Sequence, residues 1–271
     1  MHDPYSRRAF LQQLGAAIVV MHAPVPVMAS IRPPRPHRLA QCELMTGTSL
    51  EAMRAFYGDR LGLQVAQDGT SLAIKAGDTR ILFVHDDTAQ APFYHFAFNI
   101  PENKIRQARD WQAERSPLLA IPERTHAAGY PAEVVDYSHW NAHSIFFLDP
   151  GGNVVEYIAR HDLKNGNADP FTPRDILCTS EIALIVDDVL ATAERLRADF
   201  VLPTYRGASD EFVALGDEHG LLLVMRRGRI LNFHPESLEK AAAVFPTRLR
   251  LRAPAGVTLR LDGFPYEVRS V

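Results

Sequence analysis

Two side chains stand out for chemistry because each breaks an apolar strand. Glu156 lies in Val154-Val155-Glu156-Tyr157-Ile158 and His95 in Tyr94-His95-Phe96-Ala97-Phe98. A strand alternates faces with period two, so Val154, Glu156 and Ile158 share one face, while His95 and Ala97 share another. A carboxylate facing an interior must be paired or bind a metal. One imidazole and one carboxylate converging in an apolar cleft begin a divalent metal site for Zn, Fe or Mn. The same two residues also read as a buried hydrogen-bonded His–Glu pair without metal. His143 opens the strand before Asp149-Pro150-Gly151-Gly152 and is a candidate for proton transfer or for facing a substrate. Tyr137, His139 and Trp140 precede it in an aromatic loop, either lining a cleft or simply well packed.

The elements that must position these residues repeat. A strand at 39–45 is followed by a helix, with Leu50, Met53 and Phe56 on one face and Thr48 and Glu51 spaced as a capping box. Strands follow from Leu63, at 71–74 and at 79–84, turning at Ala76-Gly77-Asp78. The order β-α-β-β-β then returns. A strand at 94–100 leads to a helix at 102–114, and strands at 143–148 and 153–158 close the unit. A degenerate third copy has a strand at 181–186, a helix at 189–197, and strands at 211–215 and 221–225. Residues 164–170 read as a hinge or loop, and the tail from Thr247 has strand character. Units this small cannot each bury a sheet, so they should pair around a shared cleft. The fold class is therefore α+β, with repeated βαβββ modules forming a curved mixed sheet around a cleft. The divisions are 1–30, 31–161 for the paired modules and putative metal or ligand cleft, and 162–271 for the degenerate third module and C-terminal strands.

Residues 1–30 read as an export signal. Arg7-Arg8 precede an apolar run from Leu14 to Met28 that lacks Lys, Arg, Asp and Glu, and Val27-Met28-Ala29 offers a cleavage site. The paired arginine resembles a bacterial twin-arginine signal, a receptor-read address and not an anchor. It implies a periplasmic or secreted protein; a cytoplasmic one is the alternative, with this stretch an ordinary extension. His22, Pro24 and Pro26 argue against a spanning helix, and Ile31–Pro36 form an extended proline-rich linker.

Two stretches carry a second resemblance. Leu50-Glu51-Ala52-Met53-Arg54-Ala55-Phe56-Tyr57-Gly58-Asp59-Arg60-Leu61-Gly62-Leu63 and Phe147-Leu148-Asp149-Pro150-Gly151-Gly152-Asn153-Val154-Val155-Glu156 resemble segments of the vicinal oxygen chelate superfamily. That superfamily includes glyoxalase I, extradiol dioxygenases, and bleomycin and fosfomycin resistance proteins. The likeness covers residues 38–161 well and 176–228 more weakly. It implies metal ligands at His95 and Glu156, with the first-module position falling on Cys42, where a thiolate is not the usual choice. Ile81 occupies the place of an additional glutamate in glyoxalase-like sites, which counts against a four-ligand lyase site. Glu181 falls at the equivalent first-strand position of the third module. The closing strand of that module, Leu221 to Met225, has no carboxylate, so the module is expected to be structural. Two activities follow for a metal enzyme acting on a small molecule with vicinal oxygens: dioxygenase-like, or glyoxalase-like lyase chemistry, with Fe(II), Zn or Mn as cofactor. The alternative is a non-catalytic small-molecule binding or resistance protein.

Composition narrows the partners. The chain has 271 residues, 46% hydrophobic and 23% charged, with a net charge of −3. It lacks the basic excess of a nucleic-acid binder, and no stable membrane anchor is expected. A homodimer is compatible with paired modules. The two cysteines, Cys42 and Cys178, do not form a disulfide scaffold; a bond between them would remove Cys42 as a ligand.

Overall fold

The computed structural model describes residues 38–271, apart from 88–90, 232, 234–237, 239 and 255. The export signal and proline-rich linker expected over 1–36 lie outside the described residues. The first module runs β1 (Leu39–Thr46), α1 (Leu50–Arg54), β2 (Gln64–Asp68), β3 (Ser71–Ala76) and β4 (Thr79–His85). Helix α1 is capped by Ser49, whose hydroxyl accepts from Ala52 N at 3.2 Å, and continues as a π-helical turn over Ala55–Arg60. The cap is thus one residue beyond Thr48, whose own hydroxyl donates to the Pro150 carbonyl. The second module comprises β5 (His95–Ile100), α2 (Ile105–Ala113), β6 (Val135–Tyr137), β7 (Ala142–Leu148) and β8 (Val154–Arg160). The third comprises β9 (Cys178–Val186), α3 (Val189–Phe200), β10 (Thr204–Ala208), β11 (Phe212–Asp217) and β12 (Gly220–Arg226). Three further strands follow, β13 (Thr247–Leu251), β14 (Thr258–Arg260) and β15 (Tyr266–Ser270). Among the described residues, no helix is long and apolar enough to cross a membrane.

The strands form two mixed sheets, giving the expected α+β class with repeated modules. One has the order β14-β15-β13-β1-β4-β3-β2, the other β10-β11-β12-β9-β5-β8-β7-β6. This corrects the expected partnership of modules one and two. Module two shares its sheet with module three through the antiparallel pair β5–β9, while module one pairs with the C-terminal strands through β1–β13. The pairing is locked where β9 begins. Leu177 N donates to Asn99 O at 2.9 Å, Asp78 N donates to Leu177 O at 3.0 Å, and Thr179 N donates to Thr79 Oγ1 at 3.1 Å. Residues 164–170 are not a free hinge. Asn165 and Asn167 bond residues 102 and 103 at the entry to α2, and the buried Lys104 donates to the Asp169 carbonyl.

One large apolar cluster joins the helices to one face of each sheet, including Leu44 and Ile81 from the first sheet and Phe96, Phe98 and Leu184 from the second. A second cluster lies on the other face of the eight-stranded sheet, around Ala97, Trp140, Ile158 and Leu223. The alternation in β5 is thus the expected one: phenylalanines inward to the helices, His95 and Ala97 toward the second cluster.

Candidate metal centre

The centre is built on the middle of the eight-stranded sheet. Strands β5 and β8 run parallel, with Ala97 opposite Glu156; β5 and β9 run antiparallel, with Ala97 opposite Glu181. Alanine at 97 leaves space above the sheet, flanked by His95 and the two carboxyls. One ligand atom from each of His95, Glu156 and Glu181 lies within 4.8 Å of the other two. His95 Nε2 is 3.5 Å from Glu156 Oε2. The three residues line a cavity of about 310 Å³, walled by aromatic side chains including Tyr137, Trp140, Phe146 and Phe212.

The hydrogen bonds orient these groups for a cation. His95 Nδ1 lies 3.1 Å from the Val154 carbonyl, which can only accept, so Nδ1 carries the proton. Nε2 is left with a lone pair facing the carboxyls. Glu156 Oε1 is buried without a hydrogen-bond partner among the described residues. The oxygen nearest Nε2 is Glu156 Oε2, and the same carboxyl keeps its other oxygen buried and unsatisfied, so the group calls for a proton or a metal. The donor set of one imidazole and two carboxylates suits Fe(II), Mn or Zn.

Burial sets the protonation of the metal-free site. It lowers His95 to about 4, opposed by the Val154 contact, so the imidazole is neutral. Burial first, then the charge of Glu181, push Glu156 well above the usual carboxylate range; Ser144 and Arg160 oppose this. Glu181 is also raised by burial, but Arg160 bonds it directly and relieves it. Of the two carboxyls, Glu156, which has no cation bonded to it, is held further toward its neutral form. Arg160 is held in turn by Asn99 Oδ1 at 3.2 Å and lies over the Trp140 ring. The Tyr137 phenol is raised by burial and by both carboxyls, with Arg229 acting against them, so it keeps its proton beside the centre.

Of the residues named from sequence, His95 and Glu156 are brought together. Cys42 is not. It is fully buried in β1 of the other sheet, opposite Ile81 and Leu249, within the helix-side core. Burial pushes its thiol up to about 12, which disfavours the thiolate a metal needs. Both Cys42 and Cys178 are free, so the disulfide does not form. His143 is also placed elsewhere. It pairs with Ala159 on β8, an odd three residues after Glu156, and so occupies the opposite face of the sheet. There it bonds His161 at 2.7 Å and stacks on Tyr130. It is not positioned for proton transfer in the cavity.

Glu181 supplies the third acid-base group, from the module read as structural. Its signal was its place as the first-strand counterpart of His95. Arg160 was also legible, since it continues the Val154, Glu156, Ile158 alternation. The two modules are related by a pseudo-two-fold through β5 and β9. On β8, Glu156 stands opposite Ala97, two residues after His95; on β12, Leu223 stands opposite Ala183, two residues after Glu181. Leu223 thus fills the fourth symmetric position, and it lines the cavity.

No protein-family model matches the chain, and no curated protein matches it. Solved structures match its fold. Glyoxalase I from Zea mays superposes with a TM-score of 0.50 at 14% identity, over 86% of this chain and 92% of that one. Its V278E mutant gives 0.50 at 15% over the same shares. A Bacillus subtilis strain 168 protein provisionally described as a dioxygenase gives 0.51 at 15%, over 79% of this chain and 70% of that one. The chain therefore has the glyoxalase/dioxygenase-like, vicinal oxygen chelate fold. At these identities the likeness concerns fold alone.

Proposed function

We propose that this protein is a divalent-metal-dependent enzyme acting on a small molecule with vicinal oxygens, by dioxygenase-like chemistry. The observation that carries the reading is the convergence of one ligand atom each from His95, Glu156 and Glu181 in an aromatic-walled cavity, with Glu156 Oε1 buried and without a hydrogen-bond partner among the described residues. His95, Glu156 and Glu181 would hold the ion. When bound, a divalent ion supplies Lewis acidity to two substrate oxygens. The protein's own groups define the rest. The Val154 carbonyl fixes the imidazole tautomer, Arg160 balances one carboxylate, and aromatic walls give the cavity an apolar lining. Tyr137 holds a proton beside the centre. An apolar Leu223 at the fourth position favours dioxygenase-like chemistry over the glyoxalase-like lyase, which would use a further ligand.

The test is metal analysis of purified protein after reconstitution with Fe(II), Mn(II) or Zn(II). Stoichiometric metal in the wild type, lost in His95→Ala and Glu156→Ala, is expected; no metal in the wild type overturns the reading. Oxygen uptake on vicinal diols, set against turnover of 2-oxoaldehyde–thiol adducts, separates dioxygenase from lyase.

One observation favours a second reading, a non-catalytic binder. The Arg160–Glu181 pair already neutralises one acid without metal. On that reading, ligand binding to the cavity survives exhaustive chelation. Export is part of the proposal on the Arg7-Arg8 motif, with fractionation of the full-length chain as its test.

A further inference from the structure

The face of the seven-stranded sheet turned away from the helices carries a row of cations. Pairing aligns Gln64 with Lys75, Lys75 with Arg80, Arg80 with Gln41, Gln41 with Arg250, and Arg250 with Arg269. These positions alternate with the core residues Ile74, Ile81, Cys42, Leu249 and Val268, so the row lies on one face, and its four cations are exposed. Arg269 is paired to Glu267 at 2.6 Å. Lys75, Arg80 and Arg250 have no acidic partner among the described residues. Like charges directly opposite each other destabilise a sheet. Lys75 and Arg80 are such a pair, in a protein whose net charge is −3.

The space beside them is shaped. Ala66 and Ala73 are paired in the adjacent row, and their small side chains leave a hollow of about 440 Å³ that Gln64, Lys75 and Arg80 also line. Asp78 lies at its rim, where Arg252 donates to the Asp78 main-chain carbonyl at 3.1 Å and so brings a further guanidinium beside the hollow. The hollow thus presents an ammonium, a guanidinium and a neutral amide over a floor of alanines, with the one acid, Asp78, at its rim.

We propose that this hollow binds a small dianion, a phosphate monoester or a dicarboxylate, between Lys75 and Arg80. A guanidinium engages either group through two parallel hydrogen bonds, and the ammonium adds a compact second charge. The bound dianion removes the cross-strand repulsion. The site lies in the other sheet from the candidate metal centre and does not depend on it.

Thermal unfolding tests this, with inorganic phosphate and glutarate as probes at an ionic strength matched with NaCl. Wild-type protein is expected to melt several degrees higher with at least one probe than in NaCl alone. Phosphate acting alone identifies phosphorylated ligands, and glutarate acting alone identifies dicarboxylates. K75Q/R80Q is expected to lose the shift, yet to melt at or above the wild type in low salt without a probe, since the repulsion is gone. R250Q, two strands from Arg80, keeps most of the shift. A wild-type shift no larger than in NaCl, or one that persists in K75Q/R80Q, overturns the proposal.

Discussion

His95 is committed by its second nitrogen. With Nδ1 turned to the Val154 carbonyl, Nε2 must accept, and what it faces is a buried carboxyl pair in which burial favours the neutral form of Glu156. Metal and proton compete for that place. Because burial raises Glu156 in the metal-free protein, ligation must expel its proton, and affinity for metal is expected to rise with pH. His95, neutral above about 4, adds no proton release near neutrality. Calorimetric titration in buffers of different ionisation enthalpy measures the protons released; a pH-independent affinity would contradict the assignment. The linkage to stability has the matching sign. A raised carboxyl stabilises the metal-free fold below the ordinary glutamate range, and that contribution is lost as pH rises through its folded pKa. Chelator-treated protein should therefore lose stability on alkalisation relative to the loaded form. His143 gives the complementary prediction. Lying on the reverse face, it can be replaced by alanine with metal content unchanged and any turnover within a few-fold of wild type.

At the level of elements, period two did most of the work in the sequence. It placed Glu156 and His95 on the correct faces, because both strands are apolar on either side and a polar side chain is conspicuous there. The strands missed, β6 and β10, are short and carry little apolar pattern. The shift of the cap from Thr48 to Ser49 reflects two hydroxyls in adjacent positions, either of which fits the local signal. Partnership of the strands was not legible, because it is set by contacts distant in sequence. Gly77 is one of these. Its φ is +53°, and a Cβ there would sit 1.9 Å from the Leu177 carbonyl oxygen, at the point where the chain enters β9. Gly77→Ala should cost more than about 2 kcal/mol, read by denaturant unfolding, since both the backbone conformation and the contact oppose it. It should also weaken metal binding, because β9 carries Glu181.

For the whole molecule, the arrangement divides labour differently from the linear order. The centre is shared by the second and third modules, and the first is completed by the C-terminal strands. Residues 38–161 produced alone would expose the apolar β5 edge and lack Glu181. They are expected to self-associate, as open strand edges do, and to hold no stoichiometric metal. Size-exclusion chromatography with metal analysis decides this; a monomeric, metal-loaded fragment would contradict it. The family likeness read from residues 38–161 was correct about the fold but led to the wrong pair of modules, since similar repeats can be joined in more than one way.

The Arg160–Glu181 pair gives the centre a resident counter-charge. A pocket holding two bare carboxylates would swell or collapse on losing its ion; this one retains a cation of its own at the same acid. The scaffold should therefore act as a reusable socket, releasing one ion and accepting another without unfolding. Far-ultraviolet circular dichroism should stay constant through cycles of chelation and reloading with different metals, while in Arg160→Met each cycle should cost recoverable protein.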